Sequence, residues 1–322
     1  MGKPAALSLM LALAAPAWAA DPASGYPSRP IRIISGSPGS TADLSARFIA
    51  QKFNERWGQP AVVDNRPGAG GIIGVEIAAK SAPDGYTLVV GHVGTHASAP
   101  SLFKNLAYDP VKDFAPLSNL VNVAILLVVN PSVPAANFKE FIAYAQSKPG
   151  TVNYGSPGGG TSGNLTGELV NLVTKAKMQH IPYKGAGFAL TGVVAGETQA
   201  SFLATSTAAP QIRAGKLRAL AVIRKSRFPG MPEVPSAAEA GYPELDANAW
   251  FGLFAPARTP QPVVAKLNQE ITRVLGLPEV RELLLRQGAE AAPTSPEAFG
   301  AYVKSEIVKW TKVVKDAGVQ PN

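Results

Sequence analysis

Residues 31–58 read Ile-Arg-Ile-Ile, then Ser-Gly-Ser-Pro-Gly-Ser-Thr-Ala-Asp, then Leu-Ser-Ala-Arg-Phe-Ile-Ala-Gln-Lys-Phe-Asn-Glu-Arg-Trp-Gly. The first four residues are an apolar run of strand length, and the next nine are turn formers. Leu44, Phe48, Ile49, Phe53 and Trp57 then recur at helical spacing, and Gly58 ends the helix. The same strand–loop–helix unit follows at once. Ala61-Val-Val-Asp64 is a strand, Pro67-Gly-Ala-Gly-Gly71 turns into a helix ending near Ser81, and Pro83-Asp-Gly85 leads to a strand over Tyr86–Gly91. Strands alternating with helices predict an α/β fold with mainly parallel sheets.

A long apolar strand, Ala124-Ile-Leu-Leu-Val-Val-Asn130, opens a second series. It holds a helix marked by Phe138, Phe141, Ile142 and Ala145, a short strand Asn153–Gly155, and a glycine-rich loop Ser156–Thr161. A helix with Leu165, Leu169, Leu172 and Val173 follows, then strands near 178–182, 200–204 and 217–223. Trp250–Ala255 reads as a return strand, and the remainder as helices over 262–275, 278–287 and 296–317, with Ser295 as cap and Pro296 in the first position. Apolar crossings near 124–130 and 247–255 predict two lobes rather than tandem domains, with a ligand cleft between them. The expected division is 1–20 as a leader, 21–124 plus 248–322 as a discontinuous first lobe, and 125–247 as the second.

Composition removes several classes of function. No cysteine is present, which excludes disulfide scaffolds, thiolate metal sites and cysteine nucleophiles. The formal charge of +8 is spread along the chain without a run of basic residues, so no nucleic-acid partner is expected. Lys3, the apolar stretch Ala5–Ala15 and Ala17-Trp18-Ala19 form an export signal, with cleavage expected after Ala19 or Ala20 and a periplasmic destination. That stretch is too short to span a bilayer.

Two loops offer the same chemistry. Ser35–Asp43 lies between a strand and a helix, where free backbone N–H groups and the Ser40 and Thr41 hydroxyls make an anion seat; Ser40 or Thr41 acting as a helix cap is the alternative. Asp43 in the first turn suits the helix dipole and reads as structural. Gly155–Ser162 repeats the device, but Thr161 stands where a nucleotide phosphate loop needs Lys, so a smaller anion fits and no nucleotide cofactor is expected. Gly68-Ala-Gly-Gly-Ile-Ile-Gly74 has the wrong spacing for a dinucleotide fingerprint and reads as tight strand–helix packing. His92 and His96 are four apart in Gly/Ser/Pro surroundings that do not place them on a helix, and neither metal nor cofactor is expected. His180 reads as a partly buried structural residue, and Trp57, Trp250 and Trp310 as core. No Ser lies in a nucleophile elbow, although a scattered triad stays open.

The chain resembles the solute receptors of tripartite tricarboxylate transporters, the Bug proteins, over essentially its whole mature length. The matching segments include Tyr26-Pro-Ser-Arg-Pro-Ile31, Pro38-Gly39 with Asp43, Asn65-Arg-Pro-Gly-Ala-Gly-Gly71, Ala82-Pro-Asp-Gly-Tyr-Thr87 and Gly94-Thr-His-Ala97. Tyr108-Asp-Pro-Val-Lys-Asp-Phe114, Asn153-Tyr-Gly155, Gly160-Thr-Ser162, Pro182-Tyr-Lys-Gly185, Ala214-Gly-Lys-Leu-Arg-Ala219 and Trp250-Phe-Gly252 continue the series. The resemblance implies a two-lobed type II periplasmic-binding-protein fold, no catalysis, and a monomer that delivers a small carboxylate ligand to membrane permease subunits. A sensor presenting its closed form to a receptor kinase is the alternative, with an exported hydrolase as a further one. Ligand-binding residues implied are Ser37, Gly39, Ser40, Thr41, Gly94, Thr95, His96, Ser156, Gly160, Thr161 and Ser162, with the Thr41 and Thr161 hydroxyls as direct partners. The chain has Gly36 where the family commonly has an aromatic residue, Ser40 for a second Gly, Asn164 for a frequent His, and Leu203 at a cleft position that is often acidic. With no acid at Leu203 to receive an ammonium, and extra volume at Gly36, the expected ligand is a carboxylate without an amino group, bulkier than succinate and with an apolar or aromatic body.

Overall fold

The structure, a computed structural model of the chain, describes residues 23–319; the export signal falls outside them. The opening stretch folds as read. Strand β1 (Ile31–Ser35) leads through a short loop into helix α1 (Thr41–Trp57), which Gly58 ends at φ 64°. Strand β2 (Ala61–Asn65), a 3-10 turn and helix α2 (Ile72–Ala79) come next, followed by β3 (Thr87–His92), a π-turn over Val93–Ser98 and the short helix α3 (Ala99–Leu102). After β4 (Phe114–Val129) the chain forms α4 (Phe138–Ser147), β5 (Asn153–Ser156), α5 (Ser162–Thr174), β6 (Gln179–Pro182) and α6 (Ala186–Ala195). It continues with β7 (Ala200–Ala204), α7 (Thr205–Arg213), β8 (Arg218–Val222) and β9 (Asn248–Pro256). Helices α8 (Gln261–Gly276) and α9 (Pro278–Arg286), strand β10 (Glu290–Ala291) and helix α10 (Pro296–Asp316) complete it.

Strand β4 joins two sheets. Its first part, Phe114–Ala124, pairs with β9 in the order β2-β1-β3-β9-β4, and β10 adds at Val121 and Asn122. From Ile125 onward it pairs with β7 on one side and β8 on the other, and β7 continues to β5 and β6. The expected parallel pairing holds for β2-β1-β3 and for β6-β5-β7. Every ladder made by β4 or β9 is antiparallel, so the sheets are mixed. Alternation along the chain reveals strand–helix units but carries no direction for strands that return from the other sheet.

Ala124–Val129 is an unbroken apolar run because both its faces are covered. Ile125, Leu127 and Val129 enter the main core, while Ala124, Leu126 and Val128 enter a second cluster with Leu203, Phe228 and Val234. The part before it, with Pro116, Ser118, Asn119 and Asn122, carries no strand pattern and is extended because β9 pairs along its length. The strand expected over 200–204 forms as β7 with those bounds, and Thr205 begins α7. Helix α10 is seated by charge as well as by packing. Buried Glu306 accepts from the indole N–H of both Trp250 (3.0 Å) and Trp310 (2.9 Å), which fixes α10 against β9.

Candidate functional site

Two helix starts, one on each sheet, are built alike. In the first, Gly39 takes φ 74° and Ser40 is the N-cap, its Oγ accepting from Asp43 N. The Asp43 carboxylate then reaches back and accepts from Gly39 N at 2.8 Å. In the second, Gly160 also takes φ 74°, Thr161 is the N-cap with Oγ1 accepting from Asn164 N, and Asn164 Oδ1 accepts from Gly160 N at 3.0 Å. Each device is a capping box shifted by one residue. It spends the amides of Gly39, Asp43, Gly160 and Asn164, and leaves those at the first two helical positions without intrahelical acceptors. Those free amides belong to Thr41 and Ala42 in α1, and to Ser162 and Gly163 in α5.

Ser37, Gly39, Ser40, Thr41, Gly94, Gly160, Thr161 and Ser162 line one cavity of about 1270 Å³, together with Gly70, Gly71, His92, Ala204, Ser206 and Thr207. The hydroxyls of Ser37, Thr41 and Ser162 have no hydrogen-bond partner among the described residues. The Thr161 hydroxyl is committed, since it donates to Gly158 O at 2.7 Å while capping α5. Gly94 N is likewise spent on His92 Nδ1 at 3.0 Å.

Four expected site residues lie elsewhere. Leu203 is 1% exposed and its side chain enters the second core cluster; the next residue, Ala204, lines the cleft instead. The strand's two-residue period sends neighbours to opposite faces, so a shift of one position decides between core and cleft. Ser156 Oγ is buried under its loop, where it bonds both Gly158 and His180 Nε2. Thr95 and His96 are sealed in the π-turn. That turn also corrects the expectation that His92 and His96 lie off any helix: His92 caps it, and His96 sits within it.

The cavity wall has a clear electrostatic character. Among the described residues it includes no Asp or Glu, and Arg47 is its one Lys or Arg. Asp43 stands just behind the wall. Burial works against its ionisation, but hydrogen bonds from Arg47, Asn65 and Gly39 together hold its carboxyl below the usual carboxylate range. Sequence reasoning passed over Asp43 and Asn164 as loop anchors. Their signal is there, a Gly-Ser/Thr-x-x-Asp/Asn pattern at 39–43 and again at 160–164. Ser206, Thr207 and the α9 residues gave no local signal, because the fold brings them in from distant positions.

His96 is 0% exposed and stacks on Phe254 at 4.1 Å. Burial, with repulsion from His92 added, pushes its pKa down to about 3. An unfolded-chain histidine titrates near ~6.5, so between these values the unfolded state holds the extra proton and stability falls as pH drops. Between pH 7 and pH 5 this group should remove about 2 kcal/mol of folding free energy. Urea titrations at the two pH values measure it, and His96→Phe, which keeps a ring on Phe254, should lessen the dependence by that amount, leaving the share of His92, which burial holds at about 4. An equally steep dependence in that variant would assign it to other groups.

The two-sheet architecture with a cleft flanked by paired helix starts defines a class, the two-lobed solute-binding proteins of type II topology. Residues 45–319 match the family described as Tripartite tricarboxylate transporter family receptor, and the chain belongs to it. It is 36% identical over 304 residues to Protein BugT of Bordetella pertussis, covering 92% of each chain. Among solved structures it is similar to R. palustris Rpa4515 with adipate, at TM-score 0.83 and 34% identity, covering 92% of this chain and 100% of that one. It is also similar to MatC (Rpa3494) from Rhodopseudomonas palustris with bound malate, at TM-score 0.77 and 36% identity, covering 90% and 100%.

Proposed function

We propose that the protein captures a small carboxylate without an amino group, by lobe closure in the periplasm, and delivers it to the membrane permease subunits of a tripartite tricarboxylate transporter. The observation that carries this reading is the pair of matched helix starts lining one cavity that holds no Asp or Glu among the described residues. Free amides at a helix start attract an anion, and a ligand ammonium in the same cleft would be buried without a counter-charge. The relatives solved with adipate and malate support the ligand class. A cleaved leader at 1–20 and a monomeric receptor are part of the proposal.

The proposed lobes are 21–124 with 248–322, and 125–247. Support comes from the exchange of β4 partners between Ala124 and Ile125, and from Ile223, whose amide donates to Ile125 O while its carbonyl accepts from Ala247 N. Closure would turn about these crossings and bring Thr41 and Ser162 onto one carboxylate. A thermal-shift screen tests the ligand class. Malate, adipate or a monocarboxylate should raise the melting temperature, with a smaller radius of gyration in small-angle scattering on binding. Stabilisation by aspartate or glutamate alone would overturn the reading.

A further inference from the structure

The cavity is much longer than its anion seats require. Along α1 its wall runs from Thr41 through Leu44 and Phe48 to Gln51, about 15 Å of helix. A four-carbon acid held at Thr41 is only about 4–5 Å long and ends beside the first turn. Beyond that turn Leu44 and Phe48 line the wall one helical turn apart, with Ser45, Arg47 and Gln51 beside them and Arg47 bonded to Asp43 and Asn65. Helix α9 contributes Leu283 and Leu284 to it, and Gln287 follows at the helix end. Leu44 is 54% exposed and Leu283 37%, and of the large apolar side chains left exposed among the described residues they are the two that line the cleft. Gly36 also lines the cavity, and a Cβ added there would meet nothing within 4 Å.

Helix α9 is held in place from its other side. Leu285 packs against the second core cluster, and Thr205 Oγ1 donates to Gly288 O at 2.6 Å. The ion pair of Arg224 with Glu290, 2.7 Å and largely buried, anchors the strand that follows. Leu283 and Leu284 are therefore presented to the cavity by a fixed helix.

We infer that the stretch between α1 and α9 is a subsite for the apolar body of the ligand, which makes the natural substrate a carboxylate bearing an alkyl chain or an aromatic ring. Leu44, Phe48, Leu283 and Leu284 cover that body, while the helix starts hold its carboxylate. The inference rests on the carboxylate reading above. Thr41 and Ser162 serve every carboxylate alike, and the α1–α9 wall sets the choice among them.

Butyrate and 4-phenylbutyrate share a carboxylate and differ by one ring, so calorimetry on this pair isolates the subsite. Burying the ring should make 4-phenylbutyrate on the order of 50-fold tighter than butyrate. Leu44→Gln/Leu283→Gln, altering two exposed side chains, should erase most of that ratio by weakening 4-phenylbutyrate far more than butyrate. Equal affinities in the wild type, a ratio unmoved by the double variant, or binding of malate or adipate with neither probe bound would each overturn the subsite alone. Failure of every carboxylate to bind would instead remove the functional reading beneath it.

Discussion

Thr41→Ala/Ser162→Ala should bind carboxylate roughly 100- to 10,000-fold more weakly than the wild type. Each hydroxyl lacks a partner among the described residues and stands at the first position of a helix whose free amides face the cavity. A hydrogen bond to a charged group contributes about 1.5–3 kcal/mol, or roughly 10- to 100-fold in affinity for each. The neighbouring caps should behave differently. Ser40 Oγ and Thr161 Oγ1 hold the helix starts through Asp43 N and Asn164 N, so Ser40→Ala and Thr161→Ala should cost about 1 kcal/mol of stability with affinity largely kept. The family resemblance implied both Thr161 and Ser162, with the Thr161 hydroxyl as the direct partner; Ser162 is the one that occupies Thr41's position in its helix. Calorimetry and thermal melts on the four variants separate the two roles, and a Thr161→Ala protein with full stability and lost affinity would reverse them.

Gly252→Ala is expected to destabilise the fold by about 2–3 kcal/mol, as overpacking of a filled core does. A Cβ at this position would lie 2.0 Å from Phe299 Cζ, and Phe299 is 0% exposed. The ring cannot retreat, because Phe254 and Trp250 pack on it at 4.9 and 5.7 Å. Gly91, opposite Gly252 in the β3–β9 ladder, is equally tight; a Cβ there would meet His96 Nδ1 at 2.4 Å. The two glycines thus open the sheet face on which the His96–Phe254–Phe299 stack lies. Urea unfolding of Gly252→Ala should show a lowered midpoint, and an unchanged midpoint would mean that α10 shifts without loss.

Much of this protein is settled by local residue chemistry. The 31–58 stretch specifies strand, loop and helix because apolar period, turn formers and the terminal Gly58 agree. The proposed anion seats in the 35–43 and 155–162 loops are legible for the same reason, since free amides follow from a helix start whatever surrounds it. Tertiary structure decided what depends on partners from distant parts of the chain. Phe114–Val123 is a strand because β9 pairs with it, and β9 runs antiparallel because it returns from the other sheet. Leu203 lies in the core and Ala204 in the cleft because the β4–β7 register selects one face of a two-residue period. The stretch of the cleft that carries both Leu44 and Leu283 arises only where α9, some 240 residues after α1, comes to rest against the same cavity. Local pattern reports each helix's own apolar face, and packing alone determines which two faces meet and what space they leave between them.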